Sequence, residues 1–180
     1  MQYLKESVRN NILESARNEF YQYGYRKASL REIAAKSGIT VGNIYRYFSN
    51  KEDLLGEVLA PLWRVNDAIG GDLPSPENLD KTMEQVMDFI RENYKELKIM
   101  AREPVALAIR DTVTRSIQEV MVREMESDPG LAKIIAGTFI QSFFLIIRDN
   151  EDDMDKTQRY LRKLITIFFI TGKEAGLYKD

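Results

Sequence analysis

Apolar residues recur at helical spacing along most of the chain, and glycine, proline and capping residues mark where each run starts and stops. From Ser7 to Tyr23 the positions Val8, Ile12, Leu13, Ala16 and Phe20 share one face, and the run ends at Gly24. That pattern predicts an amphipathic helix with a glycine C-cap. Ser29 and Glu32 have capping-box spacing at the start of a second helix with Ile33 and Ala34 inward, and Gly38 follows Ser37 where a helix end turns left-handed. Thr40 then caps a third helix reaching Phe48; it carries Ile44 and Phe48 inward at i,i+4 and leaves Val41, Gly42, Asn43, Arg46 and Tyr47 outward. Ser49 with Glu52 makes a second capping box, and Leu54, Leu55, Val58, Leu59 and Leu62 continue that helix to about Ile69, where the turn-rich stretch to Pro76 begins. Ser75 and Pro76 open a further helix striped by Leu79, Met83, Val86, Ile90, Tyr94 and Leu97, which breaks before Pro104. From Val105 the positions Ile109, Val113, Ile117 and Met121 repeat every four residues until Asp128-Pro129-Gly130.

The last two segments are apolar on more than one side. Leu131 to Ile147 includes Phe139, Phe143, Phe144 and Ile147, and Tyr160 to Ile170 includes Leu161, Leu164, Ile165 and Phe168. A helix apolar over a wide arc must be covered over a wide arc. The chain's own core covers one side, so the excess predicts a second copy packed as a four-helix bundle about a two-fold axis. Those eight residues are the expected dimer interface. The apolar stretch from Ile134 to Ile147 is interrupted by Gln141 and Ser142 and is shorter than the roughly 20 residues a membrane span needs, so no membrane association is expected. No strand pattern appears, and the fold class is all-α.

Two short helices about a glycine turn, the second with an outward polar face, have the grammar of a helix-turn-helix, which lays its second helix in the major groove of DNA. The run Ser29, Ile33, Ala34, Ser37, Gly38, Ile39, Thr40, Gly42, Ile44, Tyr45, Tyr47, Phe48, Lys51, Glu52 and Leu54 resembles the N-terminal signature of the TetR family of transcriptional regulators. The departures are serine for threonine at 29, serine for alanine at 37, threonine for serine at 40 and tyrosine for a frequent histidine at 47. The detailed likeness covers about residues 5 to 60. The resemblance implies a three-helix helix-turn-helix head over residues 1–50 and a helical ligand-binding and dimerisation domain over 51–180. It implies Ser29, Thr40, Tyr45, Tyr47 and Lys51 on phosphates, with Arg31, Val41, Gly42 and Asn43 where base edges are read. Two heads about 34 Å apart, or a small multiple of that, would read a near-palindromic operator.

Charge agrees with that division. Residues 1 to 55 hold nine Lys/Arg against six Asp/Glu, and the remainder holds 17 against 22. The basic end is the end expected to read DNA. The chain has no cysteine and no histidine, which leaves no disulfide or thiol chemistry and only carboxylates for a metal, so neither a metal nor a cofactor is expected. The acidic run Asp149 to Asp155 reads as a solvated connector. No signal peptide is seen, and a cytoplasmic location is expected. Trp63, Met83, Met87, Tyr94, Met100, Met121, Met125 and Phe143 are candidates to line a pocket for a small-molecule effector, although each taken alone reads first as core. Two other classes stay open: a DNA-binding protein with no small-molecule inducer, and a small helical enzyme, for which no carboxylate or lysine constellation stands out.

Overall fold

The computed structural model describes residues 2–64, 78–102, 111, 114, 115, 118, 119, 122, 129–150 and 152–168. Among these the regular structure is helical throughout, as the apolar spacing requires. The chain divides into two compact units, one made of Met1–Arg64 with Asn93–Glu103 and the other of Val65–Glu92 with Pro104–Asp180.

In the first unit α1 (Gln2–Lys27) is the mast, and it packs on α2 (Leu30–Lys36), α4 (Lys51–Leu59) and α6 (Tyr94–Arg102). Its predicted inward residues Ile12, Ala16 and Phe20 are buried against a core that includes Ile33, Ala34, Ile44, Phe48, Leu54, Val58 and Leu59. Gly24 interrupts the helix at φ 74° and ψ 161°, where the sequence places its end. The exit from α2 is a Schellman motif: Ile39 N–H donates to Ala34 O at 3.0 Å and Gly38 N–H to Ala35 O at 3.1 Å, with Gly38 at φ +70°.

Several local expectations are corrected. Ser29 Oγ accepts from Glu32 N as a cap should, but the backbone N–H of Ser29 donates to Glu19 rather than to Glu32. The second box is displaced by one residue. Asn50 caps α4 by accepting from Asp53 N at 2.8 Å, and the Asp53 carboxylate accepts from Ser49 N at 2.7 Å. The third helix, α3, is one α turn, Val41–Ile44, finished by shorter-range bonds from Arg46 N to Asn43 O and from Tyr47 N to Ile44 O. α4 stops at Leu59 and becomes a 3₁₀ turn, Ala60–Arg64. Pro61 is the reason, since it has no N–H and its ring clashes with the carbonyl four residues back. The long stripe from Leu79 to Leu97 is two helices, α5 (Leu79–Glu92) and α6, separated by a turn at Asn93.

The second unit contains α5, α7 (Pro129–Asp149) and α8 (Met154–Thr166), with α8 packed on both others. Within the acidic connector Asp153 has a definite task, capping α8 by accepting from Lys156 N at 2.8 Å. α7 runs for 21 residues, longer than the apolar stretch suggested, and Gly130–Asp149 is long and apolar enough by composition to cross a bilayer. Its exposed side carries Thr138, Gln141 and Arg148 together with Leu131, Ile134 and Leu145, and its other side is buried through Ala132, Ala136, Phe139 and Ile147. The turn segment at 69–76, the Ser75–Pro76 cap, the break before Pro104, the repeat from Val105 to Met121 apart from 111, 114, 115, 118 and 119, and Phe169–Ile170 lie outside the described residues.

The Schellman turn has a measurable cost built into it. A Cβ at Gly38 would meet nothing within 4 Å, so Gly38→Ala pays only for the left-handed backbone. Urea denaturation should show a loss of about 1–2 kcal/mol, with the helical circular dichroism kept.

Candidate nucleic-acid interface

The site is assembled on α1 by buried charge. Glu19 falls on the inward stripe of α1 between Ala16 and Phe20, and its residue is 2% exposed. One carboxylate oxygen accepts from Ser29 N at 3.3 Å, at the start of α2, and the other pairs with Lys36 Nζ at 2.7 Å, at its end. A single side chain therefore holds both ends of α2 against α1. The bond to Glu19 raises the Lys36 pKa above its ordinary value. The pairing is therefore fully present below the usual lysine range and is lost only as pH rises through the elevated value.

A second clasp fixes the other flank. Lys51, in the first turn of α4, donates from Nζ to Ala28 O at 2.7 Å and lies 4.8 Å from the centroid of the Tyr25 ring. Arg9 pairs with Glu57 of α4 and lies over the Phe48 ring at 5.4 Å. The segment between these clasps is displayed outward. Thr40 is exposed and makes no side-chain capping bond. Gly42 and Tyr45 are exposed, the latter at 52%, while Val41, Asn43 and Tyr47 are half-buried and Arg31 is exposed. Ile44 and Phe48 anchor the segment from below at 1% and 2% exposure. A Cβ built on Gly42 would meet only Thr40 Oγ1 at 3.9 Å. The fold itself has room for a side chain there, and the bare backbone leaves space for something outside.

Of the nine residues expected to touch DNA, Arg31, Thr40, Gly42 and Tyr45 are exposed, Ser29, Val41, Asn43 and Tyr47 are half-buried, and Lys51 differs. Its ammonium is already engaged between α1 and α4. Sequence reasoning missed Glu19, whose i,i+3 spacing from Ala16 on the buried stripe was the available signal. It also left aside Arg46, which is exposed.

Residues 12–58 match the family of bacterial regulatory proteins designated tetR. The match covers the N-terminal three-helix region and not the rest of the chain. The chain is similar in sequence to the uncharacterized HTH-type transcriptional regulator YhgD of Bacillus subtilis strain 168, at 28% identity over 120 residues, 64% of this chain and 59% of that relative. The chain thus spans less than two thirds of that relative's length. The TetR fold extends further than the sequence likeness. NalD, the secondary repressor of the MexAB-OprM multidrug efflux pump in Pseudomonas aeruginosa, superposes with a TM-score of 0.65 at 21% identity, covering 98% of each chain. FadR from Bacillus subtilis, solved in complex with stearoyl-CoA, gives 0.60 at 17% identity over 86% of this chain and 96% of that one.

The residues expected to line an effector pocket divide between the units. Trp63 is 48% exposed on the 3₁₀ turn, while Tyr94 and Met100 belong to α6 in the same unit. Met83, Met87 and Phe143 belong to the second unit, and Met121 and Met125 lie outside the described residues. Met83, Met87 and Met100 are buried. The Tyr94 hydroxyl is buried with no hydrogen-bond partner among the described residues.

The expected dimer residues are placed mainly inside the chain. Phe139, Phe144, Ile147, Leu161 and Ile165 are 0–7% exposed, because α8 covers that side of α7, while Phe143, Leu164 and Phe168 are half-buried. Phe168 meets Phe139 edge-on, centroids 5.0 Å apart. The large apolar side chains left open on this helix pair are Leu131, Ile134, Leu145, Tyr160 and Ile167 at 41–67% exposure.

The Lys51 clasp makes a stability prediction. Lys51→Met should lower the unfolding free energy by about 1 kcal/mol, read by urea denaturation. No change in stability would mean that the ammonium is not holding α1 to α4.

Proposed function

We propose that the chain is a homodimeric, sequence-specific DNA-binding transcriptional regulator, a repressor released from a palindromic operator by a small apolar or amphipathic ligand. The observation that carries the DNA reading is the segment from Thr40 to Tyr47, in which an uncommitted threonine hydroxyl, a sterically unneeded glycine and an exposed tyrosine are carried over a buried Ile44–Phe48 anchor. In this reading Ser29, Thr40, Tyr45 and Tyr47 engage phosphates, and Arg31, Val41, Gly42 and Asn43 approach base edges. Lys51 works chiefly by holding α4 against the α1–α2 junction.

The open apolar residues of α7 and α8 support the dimer. Ile134 at 67% and Ile167 at 60% exposure are the natural centre of a helix-pair interface. Support for a ligand comes from the unpartnered Tyr94 hydroxyl, a buried polar group that calls for an occupant, and from methionines suited to adaptable apolar lining. The solved relative holding stearoyl-CoA has the same fold and supports an amphipathic ligand class. Ligand binding would release DNA by favouring a state in which the two heads no longer match the operator spacing.

Two experiments test this reading. Gly42→Ala should leave thermal unfolding unchanged or slightly raised, since the added Cβ meets only Thr40 Oγ1 at 3.9 Å, and should weaken binding at least tenfold to a duplex selected by the protein from a random pool. Tyr45→Phe should weaken it by a smaller factor. Unchanged affinity in both, by fluorescence anisotropy, would remove this strip from the DNA interface. Ile134→Glu and Ile167→Glu should each give a folded monomer by light scattering and lose tight operator binding; a persistent dimer would place the interface elsewhere.

A further inference from the structure

The cations of the head fall into two groups. Arg9, Arg17, Lys36 and Lys51 are engaged in ion pairs or hydrogen bonds within the unit. Arg26, Lys27, Arg31 and Arg46 are exposed, and among the described residues they make no ion pair or side-chain hydrogen bond. Apart from Lys5 and Arg64, near the two ends of residues 2–64, every uncommitted cation of that stretch lies between positions 26 and 46. Arg31 and Arg46 belong to the helix-turn-helix. Arg26 and Lys27 precede it and have no role in the reading above.

We infer that Arg26 and Lys27 form a DNA-backbone subsite outside the helix-turn-helix, in which the two cations neutralise phosphates flanking the half-site read by α3. The inference rests on the DNA-binding reading proposed above. Basic residues at the end of a helix ordinarily answer the helix dipole, but Gly24, at φ 74° and ψ 161°, interrupts the helix before these two, and the Tyr21 carbonyl in the turn before Gly24 already accepts from the Arg102 guanidinium at 3.2 Å.

The turn that carries the pair is held from both sides. Ala28 N–H donates to Gly24 O at 3.0 Å, Lys51 Nζ bonds Ala28 O, and Tyr25 lies beneath the same ammonium. Tyr25 and Ala28 are thus the inward anchors, and Arg26 and Lys27 are the exposed residues between them. Lys27 is two residues from Ser29, so their Cα atoms are at most about 7 Å apart. That places its charge beside the phosphate side of α2. The only carboxylate between positions 26 and 46 is Glu32, which is exposed, so the local field stays positive.

The test is the salt dependence of binding by the intact dimer. Its ligands are a duplex selected from a random pool, flanked by at least five additional base pairs on each side, and a scrambled duplex of equal length. Removing four cations per dimer with Arg26→Gln/Lys27→Gln should reduce the slope of log K against log salt by about 3–4 in magnitude. The preference for selected over scrambled DNA should stay within twofold, because phosphate contacts carry no sequence information. Lys81→Gln/Arg115→Gln, which removes the same charge from the other unit, should leave the slope unchanged. A slope unaltered by the first pair, or altered equally by the second, overturns the subsite while leaving the DNA reading intact. Loss of sequence preference in the first pair overturns its assignment to the backbone. A wild-type protein that selects no duplex overturns the proposed function itself.

Discussion

One buried carboxylate sets the geometry on which the head depends. Glu19 stands on the inward face of α1 and reaches both the first and last residues of the α2 segment, through Ser29 N and Lys36 Nζ. Burying a charge is costly unless it is paired and hydrogen-bonded, and here both oxygens have partners. A hydrophobic residue at this position would pack α2 on α1 with freedom to slide and rotate. Two directional bonds at opposite ends of a seven-residue helix remove that freedom, and α3 follows α2 through a Schellman turn that adds little slack.

The remaining polar ties follow the same plan. Arg9 reaches α4 through Glu57, Arg17 reaches α6 through the buried Glu96 at 2.7 Å, and Lys51 returns from α4 to the end of α1. α1 is further joined to α6 by Lys95 on Asn18 and by Arg102 on the Tyr21 carbonyl. Cations on the structural side of α1 are therefore engaged within the protein, Arg9 and Arg17 by carboxylates and Lys51, Lys95 and Arg102 by neutral oxygens. Those on the reading side remain available. This segregation explains how a chain with net charge −2 can keep a locally positive surface around α2 and α3.

Much of this was legible in the residues. Inward positions with 3.6-residue spacing, such as Ile12, Ala16, Phe20, Ile44 and Phe48, are buried, and Gly38 takes the left-handed conformation its place after Ser37 requires. What escaped was decided by partners distant in sequence. The N–H of Ser29 goes to a carboxylate ten residues back, and Lys51 prefers a carbonyl 23 residues away. The broad apolar arcs of α7 and α8 announced two covered sides, but not which residues face α8. Periodicity marks a stripe as apolar without naming its neighbour, so Phe139, Phe144, Ile147, Leu161 and Ile165 read from the sequence as an interface and are buried within the chain. Pro61 was legible and decisive, ending α4 where the apolar stripe alone continued.

Amide hydrogen exchange in Glu19→Met tests the central constraint most directly, because methionine keeps the buried volume and deletes both directional bonds. If Glu19 orients the reading segment, amides from Ile33 to Phe48 should exchange about tenfold faster or more, a local loosening of roughly 1.4 kcal/mol or more, while those of α7 and α8 keep their wild-type protection. Unchanged protection from Ile33 to Phe48 would contradict the account, showing that apolar packing alone holds the helix-turn-helix in place.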